Sequence, residues 1–398
     1  MDNEFNNTKA VFPTLGNDPS LAYFDSAAST QTHYSVTKAM NHYYENERCN
    51  VHRGDYPISR SASDKVETAR QQVATLINAE PEQIIFTAGA TDGLNIVATW
   101  SQSVEHVFIT DAEHTANILP WIGHGRTVDN GRLIVLPTDN DGSIDLQAAD
   151  KALAKHPGSV LSIIATSNVT GATTNWATLA NMAKQYGTSV CVDACQTISS
   201  HAMDMKNNPN VDFAVFSSHK MFGPTGTGIL YCKHDSDNLR PARFGGGTID
   251  HYDFNGNIVW AQGPHKHEPG TCNVAGIIGT GVAAEWINYV GYEAIDKKLV
   301  SIHNYLRELG IYNMPGARAV NDHTTNVLSF VTDAHPGDIG AVVGNNGVCV
   351  RSGKLCAHPL VNRLSQKGVL RVSWHVYNTD EDCEKLMDEL WKAMKKLA

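Results

Sequence analysis

Val192-Asp193-Ala194-Cys195-Gln196 and Phe216-Ser217-Ser218-His219-Lys220 each close an apolar, strand-like run. Buried carboxylates are uncommon without a partner, and a protonated ring nitrogen would partner Asp193, the charge-assisted hydrogen bond being worth about 1.5–3 kcal/mol. Lys220 precedes the turn-rich Met221-Phe222-Gly223-Pro224-Thr225-Gly226, which would hold an imine-forming amine on a rigid loop. An acid for a ring nitrogen and a lysine for an imine are what pyridoxal phosphate asks of a protein, which points to amino-acid chemistry. Each segment alone has an ordinary alternative: Asp193 as a strand-end cap, Lys220 as a surface lysine after a strand.

Working outward, short β-rich runs recur from residue 84: 84–86, 106–109, 133–136, 160–164 and 190–192, with 213–216 and 227–231 close behind. Helical patterns such as 145–153 and 177–185 lie between them. The alternation predicts βαβ units around a mostly parallel sheet, an α/β fold. Helices are expected over 36–44 and 62–77, and an amphipathic one over 274–290. Shorter helices and strands at 327–331, 348–350 and 369–373 then suggest a smaller α+β C-terminal domain, closed by a helix over 381–394. The expected division is an N-terminal segment, 1–25, packing on the small domain, a large domain, 26–285, and a small one, 286–398.

Composition narrows the function classes. A chain of 398 residues, 42% hydrophobic, can bury a sizeable core. With 31 basic against 41 acidic residues the net charge is −10, which argues against nucleic acid and anionic membranes as partners. No signal-peptide pattern or membrane-length apolar run occurs, so a cytoplasmic chain with eight reduced cysteines is expected. No cysteine and histidine spacing suggests a metal, and His265-Lys266-His267 reads as a solvated loop.

Other residues fill in the site. Ile84 to Asn95 offers strand, small-residue turn and helix start, where free N–H groups and the Thr91 hydroxyl suit a phosphate. Asp92 would repel that phosphate and is expected to face solvent. Gln196 could donate to a phenolic oxygen. His114 after its strand is either structural or stacked on a ring, and Asn168 sits where sites form in open α/β sheets. Cys356, Cys349 and Cys232 are equal candidates for a reactive thiol on residue type alone. Lys354 and His358 would favour the Cys356 thiolate if they lie close.

Asp193-x-x-Gln196, Ser217-x-His219-Lys220, Asn50-Val51-His52-Arg53-Gly54, Ser167-Asn168-Val169-Thr170-Gly171 and the Arg371 to Thr379 segment resemble the cysteine desulfurase and selenocysteine lyase branch of the class-V aminotransferase family. Gly245-Gly246-Gly247, Gly270-Thr271 and Arg351 to Leu360 resemble its Suf/Csd type. The resemblance runs from about Tyr23 to the last helix and implies fold type I of the pyridoxal phosphate enzymes. It implies that Lys220 holds the cofactor and moves the Cα proton, that Asp193 and Gln196 tune the ring, and that His114 stacks on it. Thr91, Ser217 and His219 would hold phosphate with Thr271 from the other subunit of a homodimer. Asn168 and Arg371 would grip the substrate carboxylate, and Cys356 would take sulfur from L-cysteine, or selenium from L-selenocysteine, for an acceptor protein. Iron–sulfur cluster assembly is the associated pathway.

The chain departs from the usual pattern at Leu355, Thr115, Ala90 and Cys272, where histidine, histidine, threonine and proline are common. Two alternatives therefore stand: a lyase, epimerase or aminotransferase acting on another amino acid, and a weakly catalytic protein that binds a sulfur-transfer partner.

Overall fold

The computed structural model describes residues 8–233 and 239–397. After a short strand β1 (Ala22–Tyr23), seven strands build the central sheet: β2 (Ile84–Thr87), β3 (Val107–Thr110), β4 (Leu133–Leu136), β5 (Val160–Ile164), β6 (Ser189–Asp193), β7 (Phe213–Ser217) and β8 (Gly228–Cys232). Their order is β2-β8-β7-β6-β5-β3-β4. The pairs from β4 to β7 are parallel, and β8 runs antiparallel to both β7 and β2. Most of these strands are buried throughout, as strands covered on both faces must be, whereas the edge strand β4 is partly exposed.

Register decides where chemistry can gather. Ile164 lies opposite Asp193, Asp193 opposite Val215, and Ser217 opposite Gly228. The carboxyl ends of β5, β6 and β7 thus open on one edge, the place where ligands bind in such sheets. The backbone of Gly228 touches that of Gly89, and a Cβ at 228 would stand 2.4 Å from the Gly89 Cα. That close approach draws the start of the helix Ala90–Trp100 against the end of β7.

The helix Val274–Val290 differs from expectation. It is apolar on nearly every side and buried at eleven positions, because it lies between the helices Tyr34–His42 and Pro57–Leu76. Gly281 permits the approach: a Cβ there would meet the Ala69 Cβ at 2.5 Å.

An exposed hairpin, β9 (Ile249–Tyr252) with β10 (Ile258–Trp260), leaves the central body. The C-terminal sheet comprises β11 (Ala317–Ala319), β12 (Val327–Thr332), β14 (Arg351–Gly353) and β15 (Val369–Ser373), antiparallel in the order β11-β12-β15-β14. β1 pairs in parallel with β13 (Val348–Cys349), and Lys9 Nζ meets Asp382 Oδ1 at 2.5 Å. One apolar cluster runs from Phe12 through Phe216 and Phe222 to Trp374 and Tyr377, joining the sheets. No helix among the described residues is long and apolar enough to cross a membrane.

Arg70 is a buried cation on the helix Pro57–Leu76. It donates to both Glu268 oxygens at 2.8 and 2.9 Å, to Glu67 at 2.9 Å and to the Ile84 carbonyl, with its guanidinium over the Phe86 ring. Glu268 also accepts from the Phe86 N–H. Removing one partner of such a pair strands the other, at a cost of about 3–5 kcal/mol. Glu268→Ala is expected to lower the unfolding free energy in urea by about that amount; a loss below about 1 kcal/mol, the level of an exposed pair, would show that the pair is effectively solvated.

Candidate active site

A cavity of about 310 Å³ opens at the carboxyl ends of β5, β6 and β7. Its walls include Lys220, Asp193, Gln196, His114, Thr91, Ser217, His219, Asn168, Arg371 and Cys356. Thr271 is not among them: it lines a second cleft with Asn50, His52, Arg53 and Gly247.

Ser217 ends β7, and its Oγ accepts the Ala90 N–H at 2.9 Å, tying the strand to the first turn of the helix Ala90–Trp100. Thr91 is exposed on that turn, beside N–H groups that a helix start leaves free. Asp92 differs from expectation: it accepts from the Ala88 N–H and from Arg243 Nη1 at 2.9 Å, so its charge is matched within the chain. His219 lies near Ser29 Oγ, and burial, with Lys220 adding to it, drops its pKa to about 4. It is a neutral ring that can donate one N–H.

Asp193 ends β6 with 3% exposure, and its Oδ1 accepts from the Cys195 N–H at 3.0 Å. Gln196 Nε2 donates to the Ala27 carbonyl at 2.7 Å, which leaves its second N–H for another acceptor. The Lys220 amine makes no hydrogen bond or ion pair with a described residue. His114 Nδ1 accepts from the Ala116 N–H, so the ring carries its proton on Nε2. Burial, followed by the Lys220 charge, pulls the His114 pKa below its ordinary value.

Arg371 on β15 is 2% exposed. Its Nη2 donates to Asp25 Oδ1 and its Nη1 to the Asn168 carbonyl, both at 2.9 Å, while Nε has no partner. Burial lowers its pKa. Arg351, opposite Arg371 in the β14–β15 register, also donates to both Asp25 oxygens. Asn168 Nδ2 donates to the Leu355 carbonyl at 2.8 Å, and its buried Oδ1 has no partner.

Leu355 and Cys356 both adopt left-handed backbone, with φ of 52° and 53°. For residues other than glycine this costs roughly 1–2 kcal/mol each. Cys356 is exposed, and its carbonyl accepts the Thr115 N–H at 2.7 Å. Lys354 does not assist the thiol, because its amine donates to the Ser365 and Gln366 carbonyls. Arg351 is a cation within electrostatic reach of Cys356. Cys232 is buried in β8, and burial raises the pKa of Cys349 on β13; neither lines the cavity.

His265-Lys266-His267 is not a solvated loop: Lys266 and His267 are buried, with the His267 ring 5.0 Å from Trp100. Among the described residues, His52, Glu67 and His265 bring ligand atoms within 4.8 Å of one another. The Arg70 guanidinium bound to Glu67 opposes a cation there.

Sequence reasoning missed three contributors. Asp25 and Arg351 carry no local signal, since only the folded β15 shows what they brace. Glu113 is the third, and its signal is an acid with an amide four residues on, Asn117. It is fully buried, accepting from Thr110 Oγ1, Asn117 Nδ2 and the Ile164 N–H, and so fastens the His114 turn to β5.

The residues fit pyridoxal phosphate. An unpartnered amine faces the cavity, Asp193 has an oxygen free for a ring nitrogen, and the Gly89–Ala90 turn leaves room for phosphate beside a helix start. The fold and site define an α/β enzyme of pyridoxal phosphate type. Residues 22–386 match the aminotransferase class-V family model, and the chain belongs to that family, whose members depend on this cofactor. It is 34% identical to a cysteine desulfurase of Klebsiella pneumoniae over 98% of each chain. It is 36% identical to a probable cysteine desulfurase of Staphylococcus epidermidis over 95% of this chain and 94% of that one. The apo structure of a cysteine desulfurase from Thermococcus onnurineus superposes with a TM-score of 0.88 at 30% identity, and the Escherichia coli cysteine desulfurase CsdA with 0.89 at 28%, each over 98% of both chains.

Burial pushes the Glu113 pKa from 4.5 up to about 7 against the pull of its three donors. The folded state thus holds this proton more tightly than the unfolded chain. Its stabilising effect is complete below about 4.5 and is lost as pH rises through about 7. Glu113→Gln cannot ionise, so its unfolding free energy should gain on the parent's over that window, by up to about 1.4 kcal/mol per pH unit. Urea unfolding of both at pH values from about 4.5 to 7.5 checks this; a constant difference would mean that folding leaves the Glu113 pKa where it is in the unfolded chain.

Proposed function

We propose that this chain is a pyridoxal phosphate-dependent L-cysteine desulfurase that forms alanine and a persulfide on Cys356. The observation that carries the reading is the shared cavity, in which an unpartnered Lys220 amine, the Asp193 carboxylate, the Arg371 guanidinium and an exposed Cys356 thiol converge. Bound at Lys220, the cofactor supplies an electron sink for charge developing at the substrate Cα.

The chain's own residues do the rest. Lys220 would hold the cofactor and move the Cα proton, and Asp193 would keep the ring nitrogen charged. His114 would stack on the ring as a neutral imidazole, Gln196 would donate to the phenolic oxygen, and Thr91, Ser217 and His219 would donate to phosphate. Arg371 and Asn168 bind the substrate carboxylate, the guanidinium fixed in advance by Asp25. The Cys356 thiol gives up its proton and its sulfur attacks the substrate sulfur. A sulfur–sulfur bond forms as the substrate carbon–sulfur bond breaks, and the bonding electrons and a proton leave with the three-carbon product as alanine.

Thr271 completes the phosphate site only if a second copy brings it, so the enzyme works as a homodimer. L-selenocysteine is a second substrate, a sulfur-acceptor protein takes the persulfide, and the reaction is cytoplasmic. The working division is a segment 1–25 that packs on a small domain, 286–398, and a large domain, 26–285; the β1–β13 pairing and the Lys9–Asp382 contact support it.

Cys356→Ala should stay yellow and reducible by borohydride onto Lys220, yet lose alanine production from cysteine. Parent enzyme given cysteine and then an alkylating agent should carry about 32 extra mass units, one sulfur, on the Cys356 peptide. Alanine production at the parent rate in Cys356→Ala, or the extra sulfur on another cysteine alone, would show that Cys356 is not the residue that takes the sulfur.

Asp193→Asn should fold and lose roughly ten- to hundredfold in turnover, the worth of one charge-assisted hydrogen bond. Turnover at the parent rate would mean that Asp193 is not the ring partner.

A further inference from the structure

The turn that carries Asn168 is rigid. Ser167 Oγ accepts from the Val169 and Thr170 N–H groups, the Gly171 N–H reaches the Ser167 carbonyl, and the Asn168 carbonyl is held by Arg371. From this fixed post the Asn168 side chain, 4% exposed, reaches across the cavity to the loop of Cys356. The Leu355 carbonyl settles the orientation of the amide, since only Nδ2 can donate to it.

That loop needs holding. Leu355 and Cys356 are consecutive left-handed residues without the freedom of glycine, and two hydrogen bonds from the large domain restrain their carbonyls: Asn168 Nδ2 to Leu355 and the Thr115 N–H to Cys356. Thr115 acts through its backbone and is always available. Asn168 acts through a side chain that also faces the Arg371 pocket, where Arg371 Nε and Asn168 Oδ1 are buried without partners.

We propose that Asn168 is a positioning residue for Cys356: its amide holds the Leu355 carbonyl and with it the strained loop, and a substrate carboxylate arriving at Arg371 competes for that amide and frees the thiol. The second half rests on the carboxylate site assigned under the proposed function; the first half does not. The coupling ties release of the nucleophile to occupation of the site, so the thiol is mobile when a substrate sulfur is there to attack.

The test is alkylation of Cys356 in the holoenzyme by limiting iodoacetamide, followed by mass spectrometry of its peptide, with Cys49 as internal reference. Asn168→Ala should alkylate about fivefold faster at Cys356 and unchanged at Cys49, the effect of about one lost hydrogen bond. L-Alanine should accelerate the parent similarly, L-alaninamide, which has the amine without the carboxylate, should not, and Asn168→Ala should respond to neither. Leu355→Gly, which removes the strain at one position, should shrink the effect of Asn168→Ala. The proposal is overturned by a parent-like Cys356 rate in Asn168→Ala, by an equal rise at Cys49, by an alanine response that persists in the variant, by alanine and alaninamide acting alike, or by an undiminished Asn168→Ala effect in Leu355→Gly. Alkylation is read without turnover, so a protein that makes no alanine from cysteine could still pass this test, and a working desulfurase could fail it.

Discussion

A guanidinium that is 2% exposed cannot stand alone, and the arrangement of this molecule around Arg371 follows from that constraint. Its charge is met by Asp25, whose carboxylate also takes Arg351. Asp25 follows β1 and bridges to Ser373 on β15, while Arg351 begins β14. One carboxylate therefore joins the N-terminal segment to two strands of the C-terminal sheet. It does so beside the cavity, with Arg371 reaching onward to the Asn168 carbonyl in the turn after β5. Removing Asp25 would leave two cations facing each other across one register, which makes the contact structural as well as functional.

The same low-dielectric setting orders the charges of the cavity. His114 and His219 are pushed toward the neutral form chiefly by burial, with Lys220 adding to the effect. Neutral rings can stack or donate without adding to the positive charge of Lys220 and Arg371. Glu113, deeper in, is driven toward protonation although three donors surround it. The two neutral rings share the cavity with Lys220, Asp193, Arg351 and Arg371.

Much of this was legible in the chain because it is local. Apolar runs ending in Asp193 and Lys220 mark strand ends, and parallel strands in register bring their ends together. The strand 189–193 and the small-residue start of the helix Ala90–Trp100 follow from the same patterns. What escaped depends on tertiary partners. The helix Val274–Val290 was read as amphipathic because its buried surroundings, two helices from the first eighty residues, leave no mark on its own spacing. Lys354 lies two residues from Cys356 and was a natural helper for the thiol, but the strand geometry of 351–353 turns its amine to the carbonyls of Ser365 and Gln366. Asp92 looked hostile to an anion until Arg243, 151 residues away, paired with it. Asp25 and Arg351 could not be matched without the β14–β15 register.

The thiol at 356 gains its distinction by position. Cys191 and Cys195 lie in or beside the same sheet, yet burial raises their pKa values and keeps them as thiols. Cys356 is exposed, stands on a strained backbone and lines the cavity with Lys220 and Arg371. With Leu355 beside it and Lys354 turned away, the reactivity of the thiol leans on where the loop holds the sulfur. A thiol whose reactivity depends on placement is sensitive to whatever holds its loop, and here that is the Thr115 N–H on one side and the Asn168 amide on the other. The departures from the usual pattern at 355 and 115 thus fall at the thiol's own support, apart from the cavity-lining side chains of Lys220, Asp193 and His114.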